Sequence, residues 1–417
     1  MRYIKPAKVD GVVAAPPSKS MMQRAVAMAL LAEGTTEILN PTYCDDAEAA
    51  LAVAEALGST VSRSEALTRI AAGKNPAAAL LNCGESGLCL RMFAAIAGLY
   101  PAPMTLTGIG SLLKRPVSFI EKPLVALGAE VRTSGGYLPV HLRGPLRGGV
   151  TEVDCSISSQ FLSGLLIALP TCELDSALLV KDLKSRPYVA LTLEMLAKSG
   201  IQIGRDASFE QFSIPGRQSY AAGRINIEGD WSGASLFLVA GAIAGRVEVH
   251  NLNPQSTQAD LAILDALVMA GARVRMQDES VTVEHDRLRA FEFDASDCPD
   301  LFPPLVALAV NCEGTTKIYG AGRLEFKESN RAATLAEEFG RLGIKIAVDQ
   351  DRMTIEGGRS LGGQVFSHND HRIAMALAVA ALAGKQGLEL EDEICVRKSF
   401  PSFFTDLDSL AGKTEPV

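Results

Sequence analysis

The sequence predicts an α/β protein of two similar halves, each made of three copies of one unit in which helices are buried against mixed sheets. Two recurrences and a size carry this expectation. A short cluster of polar residues or glycine precedes an Ala-, Leu- and Val-rich helix six times, the helices beginning near Arg24, Arg91, Phe161, Ala234, Leu301 and Ile373. Their spacing of roughly 70 residues is that of one supersecondary unit. Between them lies a more amphipathic helix that ends at a glycine and leads into a short strand, at Leu51–Val61, Leu124–Val131, Leu193–Ile203, Leu264–Val274 and Leu335–Ile346. Finally, 417 residues, 47% hydrophobic and 21% charged, suffice for two sizeable cores.

Along the chain, Met1–Ala14 reads as extended, and it can serve either the first unit or the second half, to which the chain returns at Ile227–Trp231. Pro16 and Pro17 end that segment, and Ser18 or Ser20 can cap the helix that follows. Lys19 and Arg24 then sit beside a helix N-terminus, whose free N–H groups and positive dipole end disfavour cations unless an anion is held between them. An anion site is expected there. Gly58, Gly128, Gly200, Gly271 and Gly343 stand where helix ends need a left-handed residue, and Ile344–Val348 alternates as a half-exposed strand should. No low-complexity linker divides the chain, so three units before about Arg224 and three after it define the halves.

The clusters ahead of the buried helices are Ser18-Lys19-Ser20, Gly84-Glu85-Ser86-Gly87, Ser158-Ser159-Gln160, Gly229-Asp230-Trp231-Ser232-Gly233, Asp297-Cys298-Pro299-Asp300 and Asn369-Asp370-His371-Arg372. Each can cap a helix, but together they add Lys, Arg, Gln, Asp and His in register. More cations lie on loops, at Lys114-Arg115, at Lys327 with Arg331, and at Arg397-Lys398. Such a gathering suits a ligand with several phosphate and carboxylate groups. Asp300 and Glu328 have this cationic company, and either can serve as a general acid or base.

Other classes are disfavoured. Gly-x-Ser-x-Gly, Walker and dinucleotide-binding patterns are absent. A net charge of −8 argues against nucleic acid or an acidic membrane as partner. The eight cysteines lack Cys-x-x-Cys spacing and read as reduced core residues, and the close pair His368 and His371 has no third ligand at metal spacing. Met1–Pro6 carries no apolar leader and no stretch is long enough to span a bilayer, so a cytoplasmic protein is expected.

These residues resemble the 5-enolpyruvylshikimate-3-phosphate synthase family of enolpyruvyl transferases. The resemblance runs nearly end to end, through Pro17-Ser18-Lys19-Ser20 with Arg24, Gly87 with Arg91, Lys114-Arg115-Pro116, Ser158-Ser159-Gln160-Phe161-Leu162, Ser185-Arg186-Pro187-Tyr188, Glu228-Gly229-Asp230, Pro299-Asp300, Lys327-Glu328 with Arg331, Asn369-Asp370-His371-Arg372-Ile373-Ala374-Met375, and Lys398 with Phe400-Pro401. It implies an inverse α/β barrel fold of two threefold-repeated domains, residues 16–227 and a discontinuous 1–15 plus 228–417, with the active site in the cleft between them. The implied reaction moves the enolpyruvyl group of phosphoenolpyruvate to the 5-hydroxyl of shikimate 3-phosphate and releases phosphate, a step of chorismate and aromatic amino-acid biosynthesis.

Residue by residue, the family pattern would put phosphoenolpyruvate among Lys19, Gly87, Arg115, Gln160, Arg331, Arg372 and Lys398. Shikimate 3-phosphate would lie against Lys19, Ser20, Arg24, Ser158, Ser159, Gln160, Ser185, Asp300 and Lys327. Asp300, Glu328 and Lys19 would be catalytic. No cofactor or metal is implied, and the expected partners are the two substrates, with a monomeric enzyme. Two departures stand out. The family's Asn-Ala-Gly-Thr-Ala-Met-Arg-Pro run is Glu85-Ser86-Gly87-Leu88-Cys89-Leu90-Arg91-Met92 here, so Leu88 is expected to narrow the phosphoenolpyruvate site and weaken glyphosate, the analogue that competes there. Asn330 replaces the usual Asp beside Arg331. The rivals are the sister transferase acting on UDP-N-acetylglucosamine, whose loop cysteine is missing from Gly108–Val117, and a non-catalytic anion-binding relative.

Overall fold

The structure, a computed structural model, describes residues 1–73, 75–358 and 362–412. The chain divides into two compact units, Pro17–Ile227, and Met1–Pro16 together with Glu228–Val417. The continuous unit carries helices α1 (Lys19–Leu31), α2 (Asp45–Ala56), α3 (Gly87–Ala97), α4 (Glu121–Ala126), α5 (Gln160–Ala168) and α6 (Arg186–Lys198). The discontinuous unit carries α7 (Trp231–Ala244), α8 (Ile263–Ala270), α9 (Phe302–Ala309), α10 (Arg331–Arg341), α11 (His371–Ala381) and α12 (Phe403–Ala411).

Odd-numbered helices are the buried ones. Every residue of α3 and α11 is buried, as is all of α7 but Ala244. α3 packs against both α1 and α5 in one unit, while α7, α9 and α11 touch one another in the other. A helix apolar on all sides is stable only in such a core. Truncating one of its large side chains, such as Phe237 of α7, is expected to cost about 3–5 kcal/mol.

The sheets repeat one order. Leu80–Asn82 runs parallel to Pro103–Thr107, which pairs antiparallel with Tyr137–Arg143, and that strand pairs antiparallel with Glu130–Ser134. α3 is the crossover between the two parallel strands. The same plan recurs with Gly149–Asp154 beside Ser176–Lys181 around α5, and with Glu292–Asp294 beside Thr315–Tyr319 around α9.

At α1 and α7 the outer strands are exchanged. Val9–Ala14 precedes α1 in the chain yet pairs parallel with Gly245–His250, which follows α7. Arg224–Asn226 precedes α7 yet pairs parallel with Thr35–Leu39, which follows α1. This exchange makes one unit discontinuous. Arg2–Ile4 pairs with Leu388–Glu391, so the N-terminal extended segment serves the sheets of the second half.

Helix starts differ from the expected ones. α1, α3 and α11 begin at Lys19, Gly87 and His371, directly after caps whose side chains accept backbone N–H groups: Ser18 from Met21, Ser86 from Cys89 and Asp370 from Arg372. Each such cap contributes about 1 kcal/mol. Lys19, Gly87 and Arg372 therefore occupy first turns rather than preceding loops. The amphipathic helices also start earlier, α6 at Arg186 and α10 at Arg331, the latter directly after the capping side chain of Asn330. α12 is a sixth amphipathic helix that the sequence pattern missed.

Candidate active site

In the continuous unit, Lys19 opens α1 and its Nζ lies 2.9 Å from Asp46 Oδ2 in the first turn of α2. Arg24, one turn further on, is 1% exposed. Its Nε donates to Thr192 Oγ1 at 2.8 Å, Nη1 to the Ser20 carbonyl at 2.8 Å and Nη2 to the Tyr188 carbonyl at 3.3 Å. All three acceptors are neutral. Burial pushes the guanidinium down to about 10, with Tyr188 opposing the shift. A buried cation held only by neutral dipoles is costly, and an arriving anion relieves that cost. Ser185 begins α6 in the left-handed region at φ 53°, a conformation costing a non-glycine residue about 1–2 kcal/mol and concentrated at functional sites.

Gly87 sits where guanidinium groups converge. A Cβ there would stand 2.8 Å from Arg115 Nη1, 3.3 Å from Arg91 Nη1 and 3.7 Å from Gln160 Oε1, so a side chain would displace Arg115. Arg91 Nη1 donates to Gln160 Oε1 at 2.8 Å and Arg115 Nη2 to Ser111 Oγ at 3.2 Å. Ser158 Oγ accepts from the Gln160 amide at 3.2 Å, opening α5. Two arginines and an amide beside the N-terminus of α3 form the surroundings that a phosphate or carboxylate oxygen requires.

In the discontinuous unit the centre is Arg331, wholly buried at the start of α10. Nε donates to Asp370 Oδ2 at 2.9 Å and Nη2 to Asp370 Oδ1 at 3.3 Å, while Nη1 reaches Asp300 Oδ1 at 2.8 Å and Nη2 pairs with Glu328. Asp300 also meets Lys327 Nζ at 3.2 Å and Arg372 Nη2 at 3.4 Å. Burial opposes ionisation of Asp300, but Arg372, Lys327 and Arg331 outweigh it and hold the carboxyl well below the usual carboxylate range. Burial likewise opposes the charge of Arg331, and Asp370, Glu328 and Asp300 overcome it to raise the guanidinium above its ordinary value. Burial lowers Lys327, with Asp300 opposing. Lys398 Nζ donates to the Asn369 carbonyl at 2.6 Å, and Asn369 is left-handed at φ 56°.

The expected residues thus form two sets, one in each unit. Asp300 does not cap the following helix; its carboxylate faces the cations. Asn330 caps α10 by accepting from Ala333 N at 3.2 Å, so the departure from Asp keeps the cap and removes a charge. Sequence reasoning missed Asp46, Ser111 and Thr192 as partners, and took Asp370 for a cap alone. Asp46 lies 27 residues from Lys19 and Asp370 39 from Arg331, distances at which no local pattern signals a pair. Among the described residues all eight cysteines are buried, as expected, and burial pushes Cys172 and Cys395 up to about 12. No helix there is long and apolar enough to cross a membrane.

Comparison with known proteins follows the same lines. The family model for EPSP synthase (3-phosphoshikimate 1-carboxyvinyltransferase) matches residues 4–407. The 3-phosphoshikimate 1-carboxyvinyltransferase of Thermococcus kodakarensis is 40% identical over 404 residues, 97% of this chain and 98% of that protein. The protein of the same name from Methanocella arvoryzae is 40% identical over 421 residues, 99% of each. Among solved structures, EPSP synthase from Acinetobacter baumannii aligns with a TM-score of 0.82 at 26% identity over 98% of both chains.

Proposed function

We infer that this chain, which belongs to the EPSP synthase (3-phosphoshikimate 1-carboxyvinyltransferase) family, transfers the enolpyruvyl group of phosphoenolpyruvate to the 5-hydroxyl of shikimate 3-phosphate and releases phosphate. It thereby serves the shikimate pathway to chorismate and the aromatic amino acids, acting as a cytoplasmic monomer. The observation that carries the reading is that two carboxylates, Asp300 and Glu328, share the one buried guanidinium of Arg331.

Both units contribute to one active site in this reading. Arg24, Ser20, Ser158, Ser159 and Ser185 receive shikimate 3-phosphate, with Lys19, Gln160, Asp300 and Lys327 along its edge. Gly87, Arg115 and Gln160 receive phosphoenolpyruvate together with Lys19, Arg331, Arg372 and Lys398. Bringing two polyanions together needs such cations and helix ends, which also stabilise the charge that develops on the phosphate leaving group.

Chemically, Asp300 accepts the 5-hydroxyl proton as the oxygen attacks C2 of phosphoenolpyruvate, while Glu328, with Lys19, protonates the methylene carbon. The tetrahedral intermediate then loses a proton from the new methyl group back to Glu328 and expels phosphate towards Arg115, Arg331 and Lys398. Asp300 is a weak base while three cations hold it. Substrate anions that draw Lys327 and Arg372 away raise its basicity when the hydroxyl arrives. Phosphate release is the test: it should require both substrates, and release from phosphoenolpyruvate that ignores shikimate 3-phosphate would reject the reaction.

A further inference from the structure

We propose that Glu85 is a positioning residue that fixes Arg115 through Ser111, and so sets the affinity for phosphoenolpyruvate. Glu85 Oε2 accepts from both the Ser111 backbone N–H and the Ser111 hydroxyl, each at 3.1 Å. That hydroxyl oxygen in turn accepts from Arg115 Nη2 at 3.2 Å. A carboxylate therefore orients the hydroxyl so that its remaining lone pairs face the guanidinium. Arg115 Nη1 is the atom nearest to the space a Cβ at Gly87 would fill. The relay spans three side chains from the residue two before Gly87 back to the edge of Gly87 itself.

The backbone is shaped for this clasp. Gly110 has φ +56°, and a Cβ on it would lie 2.5–2.7 Å from the carboxylate atoms of Glu85, so the clasp needs glycine there. The Ile109 N–H donates to the Gly84 carbonyl at 2.8 Å, and a Cβ at Gly108 would stand 2.8 Å from that same carbonyl oxygen. Residues 84–85 and 108–111 are thus joined by backbone and side chain, and Arg115 follows in the same loop, itself 5% exposed. Glu85 Oε2 alone takes both bonds, and as part of an ionised carboxylate it accepts more strongly than the neutral oxygen of an amide would.

The inference rests on Arg115 contacting phosphoenolpyruvate, as in the proposed function. Steady-state KM for each substrate and kcat would be measured for the wild type, Glu85→Ala, Ser111→Ala, the double variant and Glu85→Gln, with thermal midpoints alongside. KM for phosphoenolpyruvate should rise about tenfold or more in either Ala variant, the loss expected for a hydrogen bond to a charged group. KM for shikimate 3-phosphate should stay within about twofold, and kcat should fall by no more than KM for phosphoenolpyruvate rises, since Arg115 also receives the departing phosphate. The double variant should be no worse than the poorer single one, because both substitutions cut the same relay. Glu85→Gln should recover part of the loss.

An unchanged KM for phosphoenolpyruvate in folded Glu85→Ala, or both KM values rising together with a lowered thermal midpoint, overturns the proposal. If Glu85→Ala does not fold, Ser111→Ala decides by the same criteria. A wild type without turnover overturns the proposed function, a failure seen before any variant is made and so distinguishable from failure of the clasp.

Discussion

Arg24 and Arg331 are both buried arginines near the start of a helix, but their surroundings shift them in opposite directions. Neutral oxygens surround Arg24, and burial lowers its guanidinium to about 10. Three carboxylates surround Arg331 and raise it despite burial. The first is a buried cation held by neutral oxygens, and the second is a clamp on three carboxylates. In the proposed function, Arg24 holds substrate charge while Arg331 arranges the carboxylates that move protons.

Substitutions can break this contrast. Arg331→Met removes the guanidinium shared by Asp370, Glu328 and Asp300, and urea denaturation should show a loss of about 3–5 kcal/mol. A loss under about 1 kcal/mol would mean that the carboxylates relax to water instead, as exposed pairs do. Arg24→Gln should cost less than about 2 kcal/mol, since only neutral acceptors lose a donor, while KM for shikimate 3-phosphate rises about 10- to 100-fold. Equal losses of stability in the two variants would erase the distinction.

Acid sharpens it further. Because Asp300 is held below its ordinary value, the native state binds fewer protons than the unfolded chain as pH falls, and stability declines there. Its contribution is complete above the unfolded carboxyl pKa of about 3.9 and disappears as pH falls through the folded value. The gap in urea midpoint between wild type and Asp300→Asn should therefore stay constant from neutral pH to about pH 4 and narrow below it. A gap that closes between pH 7 and pH 5 would contradict the ion-pair assignment.

The smallest effect belongs to Leu88, which is 7% exposed within the apolar core of its unit. Leu88→Thr should strengthen glyphosate inhibition by up to about tenfold if its bulk narrows the site, the range for losing about one methylene from a pocket wall. No change in the inhibition constant would show that Leu88 faces only the core.

Much of the fold was legible because its periodic signals are local. Gly58, Gly128, Gly200, Gly271 and Gly343 all adopt the left-handed conformation that the pattern assigned them, and the six buried helices stand out by composition. The exchange of Val9–Ala14 with Arg224–Asn226 was not legible from the residues, since a strand's sequence does not encode which parallel neighbour it joins. In the candidate site, motif residues were visible as polar clusters at helix starts. Their acidic partners were not: Asp46 looks like an ordinary first-turn acid, and the pairing of Asp370 with Arg331 exists only after α10 and α11 pack.

The division of labour is tested most directly at Asp300, by measuring kcat together with equilibrium binding of both substrates in Asp300→Ala. Loss of a general base should lower kcat on the order of a hundredfold or more while binding persists within a few-fold. Near-normal turnover in the folded variant would contradict Asp300 as the group that takes the 5-hydroxyl proton.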